Sequence, residues 1–360
     1  MRSIEEIAMD SEFQFMVVDA KDSPHDVEQA RALLAASQLD VDPHIGTWVF
    51  CRSGDRTVAC AGLDHNVIKC VAVAQEFRGS SLSLRLGSEV VAVAAQQGYF
   101  HLFLYSMPHN RELFRGWGFY PIVEVPGLVV LMEDSPNAIR SYCDTLRREK
   151  RSGSRIGCAV LNANPFTLGH RYLVESAAAT CDWMHVFVVR EEASEFSYAD
   201  RFALVRAGVA HIRNTSIHEG SDYIISRATF PGYFLKETAM INHSWAAIDL
   251  LIFREYIAPA LGITHRYVGT EPLDPVTSQY NREMKCWLEK APSKSKPVAV
   301  VEVPRASANG TGISASAVRQ LLRYGDFAGI SKLVPKTTLA FLENQHPAVA
   351  TLAGAGAGKQ

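Results

Sequence analysis

Residues Asn162-Ala163-Asn164-Pro165-Phe166-Thr167-Leu168-Gly169-His170 constrain the fold more than any other stretch, because an apolar run (Gly157 to Leu161) stops there and a helix-favouring run (His170 to Ala179) begins. The apolar run suits a buried parallel strand. Pro165 cannot continue a strand ladder, and Gly169 has no side chain to hold a ligand away from the backbone. A helix start offers unpaired N–H groups and the positive end of a dipole, so polyphosphate binds there readily. His170 falls on that first turn, positioned to donate a hydrogen bond to a phosphate oxygen that gains charge. Taken alone, the same segment also suits an ordinary α/β core.

A second segment narrows the choice. Ile313-Ser314-Ala315-Ser316-Ala317-Val318-Arg319 precedes the helix-like Gln320 to Arg323. Two hydroxyls at a helix start can cap it or contact phosphate, and Arg319 follows about one turn later as a planar multidentate donor. Together the two segments resemble the signatures of the nucleotidyltransferase superfamily, His/Thr-x-Gly-His and Ile-Ser-x-Ser/Thr-x-x-Arg.

A chain of 360 residues with 48% hydrophobic content can bury two cores. Its formal net charge of −2 gives no general electrostatic reason to bind nucleic acid or an anionic membrane, and neither is expected as a partner. Seven scattered cysteines without C-x-x-C spacing indicate neither a disulfide framework nor a zinc site, so a reducing cytoplasm is the expected compartment. Met1 to Asp10 lacks the apolar core of a signal peptide, and no run approaches membrane-spanning length.

The charged, then small and flexible Arg147-to-Arg155 stretch marks the expected boundary, giving domains at 1–145 and 146–345 and an Ala/Gly-rich tail at 347–360 expected to be disordered. Before the boundary, a helix is expected over Asp26 to Ser37 and strands over Thr47 to Cys51, Thr57 to Leu63 and Val67 to Val73. A turn at Glu76 to Leu82 then leads into a helix ending near Gln97, followed by a strand at Tyr99 to Tyr105, a short helix at Asn110 to Trp117 and a strand at Val123 to Met132. That order resembles the acyl-CoA-dependent N-acetyltransferase (GNAT-like) fold. In that fold an Arg/Gln-x-x-Gly-x-Gly/Ala turn cradles a pyrophosphate; here Ser81 stands where the central glycine belongs and Ser83 where a Gly or Ala belongs.

After the boundary, strands at Trp183 to Val189, Asp222 to Ile225, Arg266 to Gly269 and Val298 to Val303 alternate with helices at Tyr198 to Ile212 and Trp245 to Ala258. Alternation implies a Rossmann-like parallel sheet with ligand at the strands' carboxyl ends. The expected architecture is therefore α/β throughout, a GNAT-like domain followed by a nucleotidyltransferase domain.

Across residues 150–345 the resemblance sharpens. The first motif through Glu175, Cys181-Asp182-Trp183, Phe196 to Arg201, Phe230 to Lys236, Val268 to Pro272, Thr277 to Asn281 and the serine motif look like citrate lyase ligase. That family implies an enzyme using ATP, Mg2+ and acetate to acetylate the phosphoribosyl-dephospho-CoA thiol of the citrate lyase acyl carrier subunit, through acetyl adenylate. It implies catalytic roles for His170, Arg319 and Lys236. It also implies ATP contacts at Asn162, Ala163, Asn164, Pro165, Phe166, Thr167, Gly169, Arg201, Gly269, Thr270, Glu271, Ser314 and Ser316, with Glu271 near the ribose and the Thr167 hydroxyl near phosphate. Mg2+ is expected to be held largely by phosphates and water. A related ligase for the malonate decarboxylase carrier and a pantetheine-phosphate-type adenylyltransferase are the alternatives. A non-catalytic nucleotide sensor is a third, and the presence of His170 and Arg319 weighs against it.

Overall fold

The computed structural model describes residues 13–37, 39–190, 194–226, 228–229, 243–270, 275–308 and 311–345. Lys236, Glu271 and the 347–360 tail lie outside the described residues. The chain divides into two compact units, one running to Ala138 and the other starting at Ile139.

The first unit carries β1 (Phe13–Asp19), α1 (Pro24–Ala35), β2 (Thr47–Ser53), β3 (Arg56–Asp64), β4 (Val67–Val73), α2 (Leu82–Gln96), β5 (Phe103–Ser106), α3 (Arg111–Gly116), β6 (Tyr120–Val125) and β7 (Val129–Glu133). One mixed sheet forms in the order β1-β2-β3-β4-β5-β7-β6, with β4 and β5 parallel and the other neighbours antiparallel. The strand, turn and helix order of the acetyltransferase-like layout is present. Two details differ. Phe13–Asp19 adds an edge strand that the sequence did not announce. The single strand expected at Val123 to Met132 is a hairpin, because Pro126-Gly127 makes a tight turn with Gly127 at φ +72° and Leu128 N–H bonding Val125 O at 3.0 Å.

The second unit begins within α4 (Ala138–Arg147), whose apolar face buries Ile139, Cys143 and Leu146 and whose Tyr142 ring lies 5.4 Å from that of Tyr223. It continues with β8 (Ile156–Leu161), α5 (Leu168–Ala178), β9 (Trp183–Val188), α6 (Tyr198–Val209) and β10 (Thr215–Glu219). Next come α7 (His243–Ile252), running on through a π-helical turn at Phe253–Ile257, then β11 (His265–Gly269), α8 (Pro275–Met284), β12 (Ala299–Val303), α9 (Ala315–Arg323) and α10 (Lys336–Gln345). The five strands are ordered β10-β9-β8-β11-β12 and every neighbouring pair is parallel. In chain order this is 3-2-1-4-5, so strand order reverses between β8 and β11, the place where open parallel sheets bind ligands.

The strand expected at Asp222 to Ile225 is a correction: the third strand is Thr215–Glu219, and 222–225 form turns and bends instead. Gly220 ends the strand where a Cβ would sit 2.3 Å from Val188 O, and Ile225 adopts φ +43°, far outside the extended region.

Candidate functional site

Beyond Leu161 the chain leaves the sheet through Ala163, a non-glycine residue at φ +50°, and the Asn164–Pro165 peptide is cis. A left-handed alanine costs about 1–2 kcal/mol. The loop around it is tightly fixed. Asn162 Oδ1 accepts from Arg201 Nη1 (3.0 Å) and Ser194 Oγ (3.2 Å), and Asn164 Oδ1 accepts from Phe196 N–H (3.2 Å).

Thr167 caps α5. Its Oγ1 accepts from His170 N–H at 3.3 Å, while Thr167 N–H donates to His170 Nδ1 at 3.0 Å, a reciprocal box in which the usual Glu is replaced by His. With Nδ1 accepting, the neutral ring carries its proton on Nε2. The ring stacks on buried Phe166, centroids 5.7 Å apart, and borders the cleft. Burial, and then the Arg305 charge, push the His170 pKa down to about 4. Near neutral pH His170 is therefore an uncharged hydrogen-bond donor.

The second motif arrives on α9. Ser314 is its N-cap, accepting from Ala317 N–H at 3.1 Å, and Ser316 Oγ donates to Ser314 Oγ at 3.2 Å. Arg319 Nη1 donates to Asn164 O, joining residues 155 apart in sequence, and its Nε faces Glu195 at 3.4 Å. The starts of α5 and α9 thus open on one cleft of about 420 Å³, which also takes in the carboxyl ends of β8, β11 and β12.

The lining holds Asn162, Ala163, Asn164, Thr167, Gly169, His170, Gly269, Thr270, Ser314, Ser316 and Arg319 of the expected set. A Cβ added at Gly269 would meet nothing within 4 Å among the described residues, so their packing does not require glycine there. Several of the expected residues are placed in structural roles. Arg201 does not face the cleft: it is fully buried, and its guanidinium donates to Asn162 O (2.9 Å), Val189 O (2.8 Å) and Phe196 O (3.2 Å). It holds the loop in place. Pro165 and Phe166 are buried beneath the loop, with Phe166 so close to Gly208 that a Cβ there would lie 2.2 Å from its ring. The Thr167 hydroxyl, 1% exposed, is engaged as the helix cap instead of standing free for phosphate.

Sequence reasoning passed over Arg305, Arg266, Tyr280 and Asn281, all in the lining. Arg305 follows β12 by two residues, at the strand end where ligand-facing groups gather. Its N–H donates to Thr270 Oγ1 at 3.1 Å and its Nε to Ile313 O at 3.3 Å. Asn281 donates to Gly269 O at 3.0 Å, and Tyr280 Oη to Asp249 at 2.5 Å. Paired helix starts, a neutral imidazole and arginines make a cleft built to hold an anion and to stabilise charge that grows on it. Among the described residues no helix is long and apolar enough to cross a membrane, and no group of three or more His, Cys, Asp or Glu is placed to hold a metal ion.

Comparison with known proteins matches residues 156–342 to the citrate lyase ligase C-terminal domain. The chain is 47% identical over 311 residues to the [citrate [pro-3S]-lyase] ligase of Escherichia coli K12, covering 86% of this chain and 88% of that protein. It is 46% identical over 330 residues to the ligase of the same name from Klebsiella pneumoniae, covering 91% and 96%, and 44% identical over 314 residues to that of Haemophilus influenzae, covering 87% and 94%. Solved structures similar to the N-terminal third include Escherichia coli ElaA (18% identity, 34% of this chain and 99% of that one, TM-score 0.31) and an acyl-CoA N-acyltransferase from Pseudomonas aeruginosa (12%, 34% and 99%, TM-score 0.31). On the domain match and the extent of these identities, the chain belongs to the citrate lyase ligase family.

Proposed function

We propose that this cleft joins acetate to the α-phosphate of ATP and passes the acetyl group to the prosthetic-group thiol of a citrate lyase acyl carrier subunit. The reading rests above all on the Arg319 bond to Asn164 O, which gathers both nucleotide signatures at one cleft, in a chain of the citrate lyase ligase family.

In the first step an acetate oxygen attacks the α-phosphorus, the α–β bridging P–O bond breaks, and pyrophosphate leaves with its electron pair. Negative charge grows on the phosphoryl oxygens and the leaving group. His170 Nε2–H, the Gly169 N–H at the start of α5, Arg319 and Arg305 would be the donors to it. Mg2+, held by phosphate oxygens and water, would neutralise part of that charge. In the second step the carrier's thiol sulfur attacks the acetyl carbonyl, the bond to AMP breaks, and the thiol proton is released.

The protein's buried Cys158 is a poor competitor to the carrier thiol. Cys158 is buried and its pKa is pushed up to about 11, and Cys181 Sγ lies 3.2 Å from Tyr267 Oη. The N-terminal unit would receive the CoA-like arm of the carrier, for which an acetyltransferase-like fold is suited. Purified protein with Mg-ATP should catalyse acetate-dependent exchange of labelled pyrophosphate into ATP, then acetylate the carrier with release of AMP. Production of ADP and phosphate would overturn the adenylate step. Acetylation of a malonate decarboxylase carrier in preference to the citrate lyase carrier would overturn the partner.

A further inference from the structure

Among the described residues the second unit buries three arginines, and two of them have an evident structural task. Arg201 donates to Asn162, Val189 and Phe196 carbonyls, and Arg254 donates to Trp287 O and Ala291 O, both at 2.8 Å. Arg266 is different. It is 2% exposed and borders the cleft, yet its Nε has no hydrogen-bond partner among the described residues. Its guanidinium sits over the Phe253 ring at 4.5 Å and its Nη1 donates to the Cys158 sulfur at 3.7 Å. A buried cation left without an oxygen acceptor is costly unless an anion comes to it.

Buried Asp249 feels the Arg266 charge but does not bond to it among the described residues. Asp249 already accepts from Ile225 N–H (2.6 Å), Thr229 Oγ1 (2.7 Å) and Tyr280 Oη (2.5 Å), and no ion pair joins it to Arg266 among the described residues. What Asp249 does is shape the wall beside Arg266. It pins Ile225 at φ +43°, an outlier for a β-branched residue, and Ile225 borders the cleft with Val268 and Met284. A lone guanidinium beside a small apolar lobe matches a carboxylate with a short alkyl tail.

We propose that Arg266 is the carboxylate receptor of the cleft, holding a short-chain aliphatic acid whose alkyl group lies against Ile225, Val268 and Met284. This assigns the acid substrate's place within the function proposed above and rests on that reading. The nucleotide would then occupy the side formed by His170, Ser314 and Arg319. Arg266 would fix one acid oxygen so that the other faces the α-phosphate.

The test uses the full chain. In pyrophosphate exchange, Arg266→Gln and Arg266→Lys should raise the KM for acetate about 100-fold, because lysine lacks the planar fork, while the KM for ATP changes less than about twofold. An unchanged acetate KM, or an ATP KM that rises equally, would overturn the assignment. Met284→Ala should raise the ratio of kcat/KM for propionate over acetate about tenfold, and an unchanged ratio counts against the lobe. Both acids compete in one preparation, so that ratio tests the lobe even if the arginine variants fold poorly.

Line broadening of 13C-acetate by the wild type, lost in Arg266→Gln, reads binding without turnover; binding retained in the folded variant would overturn the proposal. If wild-type protein shows no acetate-dependent exchange, the adenylation reading fails by itself, and the acetate-binding measurement still judges Arg266.

Discussion

The chain builds a strand, a turn and a helix at two places where phosphate is a plausible guest, and the two turns use their polar groups in opposite ways. In the N-terminal unit, Arg78 donates to Val73 O and Ser37 Oγ, each at 3.1 Å, and Ser80 Oγ donates to Phe77 O at 2.6 Å. Ser83 accepts from Trp117 Nε1 at 3.2 Å. These side chains are satisfied by the protein around them. In the second unit, the turn after β8 is braced from behind by Arg201, while His170 Nε2, the backbone at Gly269 and the start of α9 face the cleft. A turn is fitted for a ligand when its structural hydrogen bonds are supplied from outside the concave side. A glycine or serine pattern does not reveal which side supplies them.

Substitution at the donors gives the largest effect and the sharpest test of this contrast. His170→Ala and Arg319→Ala should each lower pyrophosphate exchange about 100-fold, the typical cost of ~3 kcal/mol for one preorganised donor. Ser81→Gly in the N-terminal turn should leave exchange unchanged. If Ser81→Gly altered exchange as much as His170→Ala, the two turns would not differ in the way described. Because His170 stays neutral down to about pH 4, kcat/KM for ATP should show no limb near 6.5 arising from this residue. A limb near 6.5 that vanished in His170→Gln would contradict the neutral-donor role.

The second effect concerns stability and belongs to the second unit alone. His185 is fully buried, its Nδ1 lies 2.8 Å from His218 Nε2, and burial, then His218, then Arg151 push its pKa down to about 3. The sign follows from proton uptake. Above its ordinary value of 6.5, neither folded nor unfolded His185 is protonated and pH has no effect through it. Below that, the unfolded chain takes up a proton that the folded chain refuses, so stability falls as pH falls towards 3. The slope is about 1.4 kcal/mol per pH unit, or about 2 kcal/mol lost by pH 5. Urea midpoints at pH 7.5 and 5 measure it, and His185→Leu should flatten the fall. An equally steep fall in that variant would assign the acid sensitivity elsewhere.

What the sequence made legible follows the same physical line. His170, Ser314 and Arg319 act within a turn of a helix start, so local spacing reveals them. Arg266, Tyr280 and Asp249 come from β11, α8 and α7, and only packing brings them near one another. Phe166 and Arg201 lie within or beside recognised motifs yet turn into the core, because spacing shows which residues are neighbours but not which face is hollow. Asp222 to Ile225 looked like a strand because the run has strand-forming residues; the backbone at Ile225 is instead held by a distant carboxylate.

Third in size is Gly269→Ala. Its Cβ meets no atom of the described residues within 4 Å, so unfolding midpoints should stay within error of wild type. A methyl facing the cleft should weaken nucleotide binding, raising the KM for ATP about tenfold, equivalent to ~1.4 kcal/mol. An unchanged KM would mean that the nucleotide does not approach this backbone, and would move it away from the β11 end of the cleft.

The smallest effect returns to the N-terminal turn. Ser83 is 7% exposed and accepts the Trp117 indole N–H, while Trp117 packs so closely on α2 that a Cβ at Gly87 would lie 2.5 Å from its ring. Removing the hydroxyl leaves that indole N–H without its acceptor in a packed interior. Ser83→Ala should therefore cost about 1 kcal/mol of stability, read as a lower unfolding midpoint, with pyrophosphate exchange and carrier acetylation unchanged once folded. The residue stands where the acetyltransferase-like turn carries a Gly or Ala, so the substitution restores that pattern while removing an internal hydrogen bond. A gain in CoA affinity without loss of stability would show that Ser83 had been blocking a functional pyrophosphate cradle, and the two turns would then be alike in kind and different only in one side chain.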